Sequence, residues 1–138
     1  MPPVSQKRRA RQAGAVMVEG ALCLMSFLMI TLGTIEFSMA VQANNFCSWA
    51  ARDAVRWAAV RGANSSVPAT STSVSNYVKG LVVGMDKTRF TITTTFVPTN
   101  MQGSVVRVNV QYVVVPLANF AMKSNLTVGS TAEMTIIR

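Results

Sequence analysis

The stretch QKRRARQAGAVMVEGALCLMSFLMITLGTIEFSMA, Gln6 to Ala40, decides the fold. Four basic side chains, Lys7, Arg8, Arg9 and Arg11, precede a run in which Glu19 and Glu36 are the only charged residues from Ala15 to Ala40. Between those two carboxylates lie only uncharged, mostly apolar residues, Gly20 to Ile35. With the flanks, about 20 residues can cross a hydrocarbon core of about 30 Å, and both carboxylates then fall near its edges. Residues 15–40 are therefore expected to form a single membrane-spanning helix. Residues 1–14 are a basic leader without apolar periodicity, expected to be a targeting segment with no structure of its own and to lie on the cytoplasmic side.

Working outward, SMA at Ser38 to Ala40 could pass for a signal-peptide cleavage site, which would release a secreted module beginning near Val41. Against that, VQANNFCSWAARDAVRWAAVRG has no Pro or Gly before Gly62 and carries Ala50/Ala51, Ala54/Val55 and Ala58/Ala59 at helical spacing. Residues 41–61 are thus expected to continue the helix outside the membrane, giving a rod of roughly 70 Å from Ala15 to about Val60. The alanine stripe invites close approach of another element. Arg52, Asp53 and Arg56 are expected on a solvated face, and Trp49 and Trp57 as interfacial aromatics.

The remainder, residues 62–138, is expected to be an α+β head. Gly62 to Ser73 is a Gly/Ser/Thr/Pro loop, and a short helix should follow from Val74 to about Val83, stopped by Gly84. The period then becomes two. Phe90, Ile92, Thr94 and Phe96 form one apolar series, Val106 to Val114 a second, and Leu126, Val128, Ala132, Met134 and Ile136 a third. Pro98 to Gly103 supplies a hairpin turn and Pro116 to Asn125 a longer return. The fold class is α+β: a long N-terminal transmembrane helix continuing into an amphipathic helix, packed on a roughly three-stranded antiparallel sheet. An apolar face including Phe90, Val108, Val110, Leu126, Val128 and Met134 should pack on the alanine stripe.

The chain of 138 residues has formal net charge +8, no histidine and two cysteines, Cys23 and Cys47. Much of the positive excess sits in the leader, and no basic stripe is interleaved with aromatics, so nucleic acid is not expected as a partner. On one continuous helix Cys23 and Cys47 would lie about 36 Å apart, which excludes an intrachain disulfide. Small apolar filler is the main reading of both, and an intermolecular link through Cys47 the lesser one. No metal-ligand spacing, phosphate loop or nucleophile with an adjacent base is present, so neither catalysis, a metal nor a cofactor is expected. In AGAVMVEGA, small Gly14 stands between leader and apolar run, as a membrane-surface protease would require, and Glu19 is the fifth residue after it. Cleavage there would free an amine on Ala15. In a lateral bundle the Glu19 carboxylate of one subunit could meet that ammonium on a neighbour. The simpler reading leaves Glu19 among headgroups.

The basic leader, Gly14, Glu19 and the long apolar helix resemble a type IV prepilin N-terminus. GTIEFSMAVQANNFCSWAARDAVRWAAV resembles the TadE family of minor pseudopilins from tight-adherence (Tad/Flp) pilus systems, with Ile35, Glu36 and Phe37 matching an I/V-E-F triplet and Ala50, Ala51, Arg52 and Ala54 an A-x-x-A-R-x-A-type stretch. The resemblance is strongest from about Ala13 to Gly62. Gly20 stands where these proteins commonly carry an aromatic residue, and Ser26 and Phe27 where proline often occurs, so an unkinked helix is expected. The resemblance implies a pilin-like fold, processing between Gly14 and Ala15 by a prepilin peptidase, and a role in assembling a pilus for surface adherence. It implies as partners the peptidase, other pilins and pseudopilins, the inner-membrane assembly platform and membrane lipid. The chain would sit in a bacterial cytoplasmic membrane, N-terminus inside and head periplasmic or extracellular. The alternative is an uncleaved single-pass envelope scaffold or adhesin.

Overall fold

The computed structural model describes the backbone of residues 4–116 and 124–137 and the side chains of residues 14–116 and 124–137. Most of the return from Pro116 to Asn125 lies outside them. The first helix, α1, is Val4–Ala59, 56 residues without interruption, or about 84 Å at 1.5 Å per residue. It starts inside the leader, where no structure was expected. The reason is local: Gln6 to Ala13 are mostly Arg, Lys, Gln and Ala, all strong helix formers, with no proline or glycine between Pro3 and Gly14. No proline occurs within α1, and the helix runs unbroken from Val4 to Ala59.

A second helix, α2, is Ser71–Leu81. It begins three residues before Val74 because Thr70 and Ser73 cap it reciprocally: the Ser73 amide donates to Thr70 Oγ1 at 3.1 Å and the Thr70 amide to Ser73 Oγ at 2.8 Å. The helix ends at Leu81, and Gly84 beyond it takes a positive φ of 73°. A 3-10 turn, Lys87–Arg89, leads into β1, Phe90–Val97. The other strands are β2, Val105–Val114, and β3, Leu126–Thr135. They form an antiparallel sheet in the order β1-β2-β3, with Phe90 opposite Tyr112 and Val106 opposite Met134. The fold is α+β, one long apolar N-terminal helix with a three-stranded antiparallel sheet.

The central strand shows the expected alternation: Val106, Val108 and Val110 are fully buried, and Tyr112 and Val114 nearly so. They share a core with Ala43, Cys47, Ala50, Ala51, Ala54, Ala58 and Ala59 of α1 and with Val74 and Val78 of α2. The helix α1 lies across β2 and β3, and α2 covers β1. Alanines at the contact let the helix backbone approach the sheet, at the cost of little reach to either side. That explains one departure. Leu126 and Met134, expected in the core, are 40% and 39% exposed, because β3 is an edge strand and short alanine side chains do not extend over its rim. Val128 and Ala132 are only partly buried, whereas Ile136 just past the strand is 1% exposed. The tail is pinned there: the Ile137 amide donates at 3.0 Å to the Ala59 carbonyl, one of the otherwise unpaired acceptors at the end of α1.

Candidate functional site

Every described residue from Gly14 to Thr31 is exposed, including Val16, Met17, Leu22, Leu24, Phe27 and Ile30. One 18-residue window in this helix has mean hydropathy 2.1 and none of it is buried within the chain, so the helix is long and apolar enough to cross a membrane. Its hydroxyls do not need water. Ser26, Thr31, Thr34 and Ser38 each donate to the carbonyl four residues earlier, at 2.8–2.9 Å, which satisfies them in a solvent without hydrogen-bonding partners.

Glu19 is exposed within this run and makes no hydrogen bond or ion pair among the described residues. Gly14 is not required by the fold, for a Cβ there would meet nothing within 4 Å. What glycine does at that point is weaken the helix, by roughly 1 kcal/mol relative to alanine. Ala15 beside it is likewise exposed.

At the junction with the head the usual order is inverted. Ile35 and Phe37 are 45% and 69% exposed, while Glu36 between them is 1% exposed and its carboxylate is engaged, not free. Spacing places Glu36 near the outer membrane edge and carries no sign of this burial. Arg52 is exposed, and sixteen residues of helix separate it from Glu36, about 24 Å. Gly14, Glu19, Glu36 and Arg52 are thus strung along a rod and do not converge. Among the described residues no three His, Cys, Asp or Glu side chains are grouped to hold a metal. The arrangement offers a long lateral surface.

The head is locked to the rod by contacts that composition did not reveal. Tyr77 of α2 donates its hydroxyl to Asp53 Oδ2 at 2.7 Å, its ring stacks on Trp57 at 4.9 Å, and the Arg61 guanidinium lies 4.3 Å from the Trp57 centroid. Trp57 is therefore part of the joint between the helices. The hydrogen bond to Asp53 raises the Tyr77 pKa above its usual value. Nearer the junction, Phe90 meets Phe46 edge-on at 5.3 Å and Tyr112 at 4.6 Å. Cys47 is fully buried, and desolvation pushes its thiol up to about 11, a poor setting for the intermolecular link considered above. Thr70 and Ser73, three residues apart, are a local sequence signal for the start of α2.

No curated protein and no solved structure matches the chain. Residues 14–56, about a third of its length, match the TadE-like protein family, and the match spans the bare apolar run, the Ile35–Phe37 junction and most of the alanine stripe while ending before the sheet.

Proposed function

We propose that the protein is a minor pseudopilin: a single-pass protein of a bacterial cytoplasmic membrane whose head lies outside and which takes part in assembling a Tad/Flp-type pilus for surface adherence. The carrying observation is the apolar run from Gly14 to Thr31, bare of any cover within the chain and inside the TadE-like match. A prepilin peptidase would cut between Gly14 and Ala15, where the glycine eases the local unwinding that a protease needs. Glu19, exposed and lacking a described partner, would then accept the Ala15 ammonium of a neighbouring pilin or pseudopilin, compensating both charges in a bundle of low dielectric. Ile35, Glu36 and Phe37 set the junction that holds the head at a fixed height, and Arg52 stands on the outer surface above it. Lipid, the peptidase, other pilins and the assembly platform are the partners of this reading.

A second reading, an uncleaved envelope scaffold or adhesin, draws support from the unbroken helix through the Gly14 position. A secreted module starting at Val41 would require a cut inside α1 beside Ala40, which is 9% exposed. N-terminal sequencing of the membrane-extracted protein separates the three. Ala15 at the terminus is the expected result, an intact leader would favour the scaffold, and Val41 would favour the secreted module.

A further inference from the structure

Above the junction the outward face of α1 carries Trp49, Arg52 and Arg56 at successive helical turns. Trp49 is 51% exposed, both arginines are exposed, and with Asp53 they line a shallow cleft of about 230 Å³. Asp53 is the one acid within reach of these guanidiniums along the helix, and its Oδ2 accepts from Tyr77 at 2.7 Å, so one carboxylate faces two guanidiniums. Among the described residues neither Arg52 nor Arg56 has an ion-pair partner.

A second copy offers little counter-charge for them. Beyond Ala40 the chain has nine basic side chains and three acidic ones, Asp53, Asp86 and Glu133. Asp86 is held by Arg89 at 3.2 Å and Glu133 by Arg107 at 2.6 Å. Lipid is also a poor candidate, since Arg52 stands about 24 Å of helix above Glu36, more than two Debye lengths at physiological salt. That elimination rests on the membrane reading above; the rest of the inference does not. We infer that Trp49, Arg52 and Arg56 form a docking site for a carboxylate-bearing surface of a different protein chain. Two guanidiniums four residues apart suit bidentate capture of carboxylates, and an exposed tryptophan beside them supplies the apolar anchor typical of energetically dominant contacts.

The test uses the full chain in uncharged detergent and a fluorescein-labelled amphipathic peptide with glutamates at successive helical turns flanked by leucines. Anisotropy at low ionic strength should give saturable binding. The pair Arg52→Ser with Arg56→Ser should weaken it by at least about tenfold, while Lys79→Ser with Lys87→Ser, which removes the same charge elsewhere, should change it by less than about twofold. Both arginines are exposed, so circular dichroism should be unaltered in the arginine pair. No binding by the unaltered chain, or equal loss in both pairs, would overturn the inference in favour of a solvated face or bulk charge. Displacement of the peptide by phosphatidylglycerol mixed into the micelles, where the same amount of phosphatidylcholine does nothing, would assign the face to lipid. Peptide-free self-association that the arginine pair abolishes would assign it to a second copy. Either of these last results also overturns it, and none touches the N-terminal sequencing result.

Discussion

One helix is in two solvents. From Gly14 to Thr31 α1 exposes Leu, Met, Phe and Ile, whereas from Ala43 to Ala59 it buries mostly alanines, with one cysteine and one valine. In a water-soluble protein the large apolar side chains go inside, and the small ones have little to gain there. The reversal along α1 means that its lower half needs an apolar surrounding from outside the chain, while its upper half is selected for close approach to the sheet. The Glu36 carboxylate marks the change, buried where its apolar neighbours Ile35 and Phe37 point out.

The contrast can be broken from either end. Ala51 and Ala54 are fully buried, so Ala51→Arg or Ala54→Arg forces an unpaired charge under the sheet and should destabilise the head by on the order of 3–5 kcal/mol. The head of the detergent-solubilised variant should become sensitive to limited proteolysis while the protein remains in the membrane fraction. Leu24→Arg should do the opposite, at about 3 kcal/mol against membrane entry: its head should resist protease as before while carbonate extraction releases more protein. If both variants changed the same property, the two halves would not be in different solvents.

Within the bare half, Glu19→Gln keeps size and removes charge, so the protein should accumulate in the membrane normally and fail to restore pili. Glu36→Gln should also keep its membrane level, but because Glu36 is buried and engaged its effect should appear in protease resistance of the junction. Normal pili from the Glu19 variant would return that carboxylate to the headgroups. The smallest effect is expected at the joint between helices. Tyr77→Phe deletes the hydrogen bond to Asp53 and should cost about 1 kcal/mol. Because the Tyr77 pKa is raised in the folded chain, its contribution is present below the usual tyrosine pKa and lost as pH rises through the folded value. Chemical denaturation should therefore show the unaltered head losing stability in alkali relative to the Phe variant.

The elements were legible where the signal is periodic and local. The apolar run, the alanine stripe and the strand of Val106 to Val114 each announce their environment within a few residues, and all three are found as read. What escaped depends on residues far apart in sequence. Leu126 and Met134 alternate as correctly as Val108 does, but nothing local says that their strand is at the edge. Trp57 reads as an interfacial aromatic until Tyr77 is folded against it. Glu36 shows its spacing but not its cover. The helical leader is the opposite case: Arg, Lys, Gln and Ala from Gln6 to Ala13 carry helix propensity in the sequence itself, while the charge and the lack of an apolar face are equally those of a targeting segment.

The two native cysteines sit one in each half of α1, Cys23 exposed on the bare run and Cys47 buried under the sheet, and this permits a direct test. On spheroplasts, a membrane-impermeant maleimide should label Asn45→Cys, at an exposed position above the junction, and should leave Cys23 unmodified until the membrane is dissolved in denaturing detergent. Labelling of Cys23 in intact membranes as fast as the Asn45→Cys site would place the bare run in water and contradict its assignment to lipid.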